Sequence, residues 1–259
     1  MGERRKRRLI DLSLPLMNQS MEPAAFVPQI SYMTPAAAAR QMAKLFGISL
    51  DSFPERVGLA QEWVTLSVHS GTHVDAPSHY GPRPDGRAPM TIDQVPLDWC
   101  FGEGVVLDFS TLQPGDLIDA PRVEKALTDI RHELQAGEIV LLRTDTDKRF
   151  YEPDFENAQP GLSRDGCEYM LDRGVRVVGI DAGSMDVPTS IMMERLEATG
   201  DKAQLFQAHF FGREREYLQI EKLTNLDKLP PTGFEVFFFP VLIQGAGGGW
   251  TRAVALLED

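Results

Sequence analysis

His69-Ser70-Gly71-Thr72-His73-Val74-Asp75-Ala76-Pro77-Ser78-His79 is the stretch on which the reading of this chain turns. Three of the five histidines fall inside it, with an aspartate between the second and third. Neutral imidazole and carboxylate are the ligand set of zinc, manganese or ferrous iron. Gly71 and Pro77 both oppose a long helix. The β-formers from Trp63 to Val68 predict a strand leading in. If the backbone stays extended beyond the glycine, His73 and Asp75, two apart, share one face. A bend at Gly71 then returns His69 to the same centre. A lone histidine is more often packed or exposed than a ligand. Three with an aspartate at this density are hard to explain by packing and indicate a metal site.

Working outward, Leu9 to Leu16 alternates Leu12, Leu14 and Leu16 with shorter or polar residues, as a half-buried strand does, and Pro15 sets its end or an edge. Met17 to Ile30 is irregular. Thr34 caps a helix with Pro35 in its first turn and Gly47 beyond its end. Past the histidines, Tyr80 to Gly86 reads as a loop, a plausible pocket wall. Gly104 to Phe109 is a strand. A helix is predicted from Pro121 to about Gln135, ended by Gly137, because Val123, Leu127, Ile130 and Leu134 recur at helical spacing.

Strands at Ile139–Leu142 and Val175–Ile180 flank a Ser163-capped helix that runs to Arg173, and this alternation gives an α/β class. Asp145 and Asp147 lie in a loop at a strand's carboxyl end, where a solvated turn explains them. Thr189 to Leu196 is a further helix. His209 lies among aromatics, and Tyr217 to Leu223 reads as a strand carrying Glu221. Val236–Phe239 and Ala253–Leu257 close the chain as strands. The glycines from Gly245 to Gly249 do not form a dinucleotide loop: Trp250 stands where a last glycine belongs and a strand follows. They permit a tight bend or a close backbone approach.

The pattern H-x-G-T-H-x-D-x-P-x-H resembles the signature of the metal-dependent cyclase superfamily, which includes kynurenine formamidases and isatin hydrolases. Val178-Gly179-Ile180-Asp181, followed by Ser184 and Asp186, resembles its central strand and loop. His209 and Glu221, twelve apart, resemble its distal ligands. The resemblance spans nearly the whole chain. It implies a single-domain swivelling β/β/α fold and hydrolysis of a small cyclic or aryl amide, imide or lactone. It assigns His69, His73 and Asp75 to one divalent metal. Asp75 and Glu221 would bridge to a second, completed by His209, with one or two ions of Zn or Mn per chain. His79 would stay off the metal as acid and base. A homodimer or homotetramer is the implied assembly. This chain is longer than the formamidases, and the extra length falls between the first strand and the histidines, as a pocket wall, a subunit contact or a surface decoration.

Two other functions fit the same residues: a cyclase or isomerase acting through a metal-bound enolate, and a metal-binding protein without turnover. A serine hydrolase is disfavoured, since Ser184 does not lie in a G-x-S-x-G elbow. The 259 residues carry 26 basic and 38 acidic side chains, a formal charge of −12. That balance disfavours nucleic acid and anionic membranes as partners and leaves a small molecule. Only the start is basic, through Arg4, Arg5, Lys6, Arg7 and Arg8, so residues 1–8 are read as a frayed tail before one domain over 9–259. No stretch has the roughly 20 apolar residues that span a bilayer. Cys100 and Cys167 form neither a metal-like pair nor a disulfide framework, which suggests reduced thiols in a cytoplasmic protein. Trp63, Tyr80 and Phe210 are candidates for an aromatic pocket.

Overall fold

The computed structural model describes residues 7–258. Its strands are β1 (Arg7–Asp11), β2 (Gln29–Met33), β3 (Gln61–Thr65), β4 (His73–Asp75), β5 (Phe101–Asp108), β6 (Leu117–Ile118), β7 (Ile139–Arg143), β8 (Gly161–Leu162), β9 (Val177–Ile180), β10 (Leu218–Glu221), β11 (Phe234–Phe237), β12 (Gly248–Trp250) and β13 (Val254–Glu258). Its α-helices are α1 (Pro35–Phe46), α2 (Ala120–Asp129), α3 (Arg164–Leu171), α4 (Thr189–Thr199) and α5 (Gln207–Phe211).

Nine strands form one mixed sheet in the order β1-β13-β11-β5-β7-β9-β10-β4-β12. Its centre, β5-β7-β9-β10, is parallel, and the pairings on either side are antiparallel. Parallel neighbours need crossovers, which the helices supply: α2 between β5 and β7, α3 between β7 and β9, α4 and α5 between β9 and β10. The central strands are apolar on both faces because both are covered. Val105, Leu107, Val140, Leu142, Val178 and Ile180 pack with Val123, Leu127, Cys167 and Met170 of the helices. The alternate residues Val106, Ile139, Leu141 and Val177 join a second core that also holds Ile10, Val74 and Ala255 from near the sheet's two ends. The sheet therefore curls around that core. Ser13 completes the curl by bridging to Leu223, just past β10.

That closure shortens the first strand relative to its apolar alternation. Regular pairing stops at Asp11, Leu12 is fully buried, and Leu16 is 39% exposed. Arg7 and Arg8 are not tail: they pair with Glu258 and Leu257 in β1. Met1 to Lys6 lie outside the described residues. The predicted strand Trp63–Val68 is also displaced. β3 ends at Thr65 and pairs only with β2, as an exposed two-stranded ribbon apart from the main sheet.

α2 ends at Asp129, short of Gln135. Arg131 takes a left-handed φ of 55° and His132 turns to meet Glu138 at 3.0 Å. The apolar spacing overran the helix because Leu134 is buried from the loop that follows. The expected α1 boundaries hold: Thr34 accepts from Ala37 N and Gly47 closes the helix.

Candidate active site

β4 runs between β10 and β12. Its register sets His73 across from Glu221, and Asp75 across from Gly248. His73 and Asp75, two apart, project from one face, and Glu221 joins them by cross-strand pairing. Gly71 takes a φ of +59°, which carries the chain back so that His69 Nδ1 lies 2.7 Å from Asp75 Oδ1. After β4, a short turn over Pro77–Tyr80 presents His79, whose ring centroid is 4.0 Å from that of His69. α5 supplies His209, with Nε2 3.6 Å from both Asp75 Oδ2 and Glu221 Oε1. All six residues singled out in the sequence therefore converge. Two triplets, His69-His73-Asp75 and Asp75-His79-His209, have potential ligand atoms within 4.8 Å of one another, and Asp75 belongs to both.

The glycine-rich segment closes the back of this cluster. A side chain at Gly248 would come within 3.0 Å of His69 Cε1, and one at Gly247 within 3.1 Å of the His79 backbone. Close approach, not nucleotide binding, is what these glycines provide.

Whether this cluster suits a cation can be judged from its hydrogen bonds. His73 Nδ1 contacts Gly71 O at 2.8 Å, which turns Nε2 toward the carboxylates. That Nε2 and Asp75 Oδ2 are buried and have no hydrogen-bond partner among the described residues. Two orphaned lone-pair atoms beside further imidazole and carboxylate groups fit a divalent ion, since leaving them unmet is costly. His209 is oriented similarly, with Nδ1 2.6 Å from Asp186 Oδ2. Glu221 Oε1 accepts from Met185 N at 2.7 Å.

The electrostatics follow from burial and crowding. Burial works against the charged form of His73, but Asp75 and Glu221 outweigh it and hold its pKa above the ordinary value. The same contest, with Asp186 and Asp75 prevailing over burial, raises His209 well above its usual range. Burial also opposes ionisation of Asp75, yet His73, His209 and His69 drive its carboxyl well below normal. Glu221 is raised by burial and by Asp75. Burial takes His79 down to about 4, with the neighbouring imidazoles adding to the effect and Asp75 opposing it.

In front of the cluster lies a cavity of about 400 Å³. Phe26, Phe206 and Phe210 provide apolar wall, and Glu156 and Lys222 are polar groups on its lining. Tyr80 also lines it and donates to Tyr217 O and Asp75 O. Of the three aromatic candidates, Tyr80 and Phe210 reach the cavity. Trp63 does not: it is 52% exposed on β3.

The extra segment before the histidines contributes to this wall through Pro23 and Phe26. Glu22 pins it, accepting from Gly71 N at 3.0 Å and from Lys222 Nζ at 2.6 Å. Lys222 also donates to His69 O, and Ser70 Oγ to Phe26 O. Sequence reading missed Glu22, Glu156 and Lys222. Lys222 could have been suspected as a lysine beside Glu221 in an apolar strand. Glu22 and Glu156 lie in irregular segments that carry no periodic signal. Asp145, Asp147 and Asp181 also draw together. Their carboxylates are already occupied by Arg143 and Lys148, by Thr224 and Asn225, and by the backbone of Thr144 and Asp145.

Comparison with known proteins gives a consistent result. A family model described as putative cyclase matches residues 10–187. The chain is 32% identical over 213 residues to an isatin hydrolase of Roseibium aggregatum, covering 76% of this chain and 75% of that protein. It is 29% identical over 191 residues to a kynurenine formamidase of Maricaulis maris, covering 74% and 78%. Among solved structures, an isatin hydrolase bound to the product analogue thioisatinate superposes with a TM-score of 0.75 at 25% identity, covering 98% of this chain and 93% of that one. A structure described as a novel cyclase superposes at 0.72 and 18% identity, over 96% and 88%, and shows the same mixed α/β fold.

Proposed function

The chain belongs to the cyclase family, and from that premise we propose that it is a metal-dependent hydrolase of small cyclic or aryl amides, imides or lactones. The names of its relatives, isatin hydrolase and kynurenine formamidase, denote hydrolysis. The observation that carries the reading is the pair of buried atoms, His73 Nε2 and Asp75 Oδ2, that have no hydrogen-bond partner among the described residues, in a cluster whose His69, His79, His209 and Glu221 line the cavity.

In this reading His69, His73 and Asp75 hold one divalent ion, zinc or manganese, and Asp75, Glu221 and His209 hold a second. When bound, such ions polarise a carbonyl and make water acidic enough to attack near neutral pH. His79 remains free of the metal, and 35% of its side chain is solvent-exposed. It takes a proton from the attacking water and returns it to the leaving nitrogen or oxygen as the acyl bond breaks, so one water is consumed per bond cleaved. Gly71 O fixes the His73 tautomer and Asp186 holds the His209 ring. Phe206 and Phe210 exclude water from one side of the substrate.

The assembly proposed is a homodimer or homotetramer. Tyr32 and Trp63 on the β2–β3 ribbon, Leu45 and Phe46 on α1, and Leu59 are all more than half exposed, and exposed apolar side chains of this size suit a subunit contact. Among the described residues no helix is long and apolar enough to cross a membrane. Cys100 and Cys167 are free and buried, as suits a cytoplasmic protein. The net charge of −12 supports a small-molecule partner over nucleic acid or anionic lipid.

The test is chelation followed by reconstitution with single metals, scored by metal per chain and by acid release from a panel of cyclic amides and lactones. Activity should vanish on chelation and return with one metal. Full activity in metal-free protein would end this reading. Isomerised rather than ring-opened product would favour the enolate chemistry instead. A metal count that never exceeds one would remove the second ion.

A further inference from the structure

Glu156 belongs to none of the groups assigned above, yet it lines the cavity with His69, His79 and Glu221. It comes from the short turn Phe155–Asn157, on the loop after β7. Its carboxylate lies over Gly183, where an added Cβ would meet Oε2 at 2.5 Å and Oε1 at 3.1 Å. A side chain at Gly183 would force the carboxylate to move. Oε1 is buried without a hydrogen-bond partner among the described residues. Lys222 Nζ comes no nearer than 4.0 Å, and it is already bonded to Glu22 Oε1 at 2.6 Å and His69 O at 3.0 Å. The lining also holds Phe26, Phe206 and Phe210, which cannot donate to a carboxylate, and Ser184 and Thr189, whose hydroxyls make no hydrogen bond to Oε1. A carboxylate on a cavity wall, with Lys222 Nζ at 4.0 Å and no hydrogen bond to Oε1 among the described residues, is costly to desolvate further unless something entering the cavity supplies a donor.

We propose that Glu156 is a specificity-determining residue that accepts a hydrogen bond from an N–H of the substrate, so that this enzyme selects flat aromatic amides, imides or lactams over lactones and ketones of the same shape. This deepens the hydrolase reading and rests on it. A site built to accept from N–H penalises the analogue that lacks one, because its acceptor is then left unmet in a desolvated place. The aromatic wall provides area for a flat ring but does not distinguish N–H from CH₂ or O. Glu156 supplies that distinction.

The test separates binding from turnover. Affinities of metal-loaded parent protein for oxindole and for 2-indanone, which differ only in N–H against CH₂, are measured by calorimetry. Metal content is measured alongside. The parent should favour oxindole by about ten- to a hundred-fold, as one hydrogen bond to a charged acceptor implies. Glu156→Leu should bring the two affinities within about twofold while metal content stays unchanged. Glu156→Gln keeps an acceptor oxygen and should retain an intermediate preference. It also preserves the comparison if the leucine variant fails to fold. Equal affinity of the parent for both probes, measurable binding of neither, or undiminished preference in both variants overturns the proposal. Hydrolysis of amides and lactones by such a protein would leave the hydrolase reading standing. Selective binding without hydrolysis of any panel member would do the reverse.

Discussion

His73, Asp75 and Glu221 stand on paired strands, whereas His69, His79 and His209 stand on turns and a five-residue helix. The strand-borne three are placed by backbone pairing, with Glu221 opposite His73 whatever their side chains do. The loop-borne three depend on individual contacts. His69 is held by Asp75 and through its carbonyl by Lys222, and His209 by Asp186. His79 approaches Asp75 only to 4.0 Å. The strands thus fix where charge is concentrated. The loops fix how imidazoles and pocket walls are aimed at it.

The comparison predicts a graded series of losses. Asp75→Ala should be the most severe, because this one strand residue is common to both proposed ligand sets, His69-His73-Asp75 and Asp75-Glu221-His209. Its loss should bring metal content close to zero and lower kcat/KM by more than about a thousand-fold, since Lewis-acid stabilisation is worth several kcal/mol. Retained metal with retained activity would remove the strands from the centre of the site.

His79→Ala is the contrasting loop variant. Turnover should fall by about 10²- to 10⁴-fold while metal content, measured by elemental analysis, stays near the parent value. An emptied site would make His79 a ligand and erase the division between the two halves.

Asp186→Asn should be milder than either. Asp186 does not line the cavity but holds the His209 ring at 2.6 Å and accepts from Ala208 N at 2.8 Å. Losing that orientation should weaken metal affinity or activity by about 10- to 100-fold. The drop should grow as metal is made limiting. An effect independent of metal concentration would show that Asp186 serves folding alone.

This division tracks what the sequence made legible only in part, since strand-borne Glu221 was found by resemblance and loop-borne His69 from local sequence. Strand-borne residues announce themselves through alternation, so His73 and Asp75 could be placed on one face. His69 followed from the glycine between them. His209 and Glu221 came from family resemblance, because nothing local links positions twelve apart to a motif far upstream. The α/β class, whose central strands are buried on both faces, was readable from the strand–helix–strand alternation. The pocket wall was not. Glu22 reaches Lys222 across 200 positions, a pairing that only the curled sheet creates. The misjudged end of α2 has a related cause: Leu134 is buried without being helical, so burial and helical period part company there.

Glu22→Gln should have the smallest effect and is the finest probe of the contrast. Glu22 is not a ligand candidate. It fastens the Pro23–Phe26 wall to the turn that carries His69, through Gly71 N and Lys222 Nζ. The amide keeps the shape and one acceptor oxygen, but removes the charge that strengthens both bonds. It also leaves the buried Lys222 with a weaker partner, so some loss of thermal stability is expected, which truncation to alanine would deepen. A charged hydrogen bond exceeds a neutral one by roughly 1 kcal/mol, enough to raise KM about fivefold if the wall loosens. Because the strands still hold the metal residues, kcat at saturating substrate and metal content should stay within about twofold of the parent. A fall in kcat with KM unchanged would mean that Glu22 acts through Lys222 and His69 on the metal centre itself, and that wall and centre are one unit.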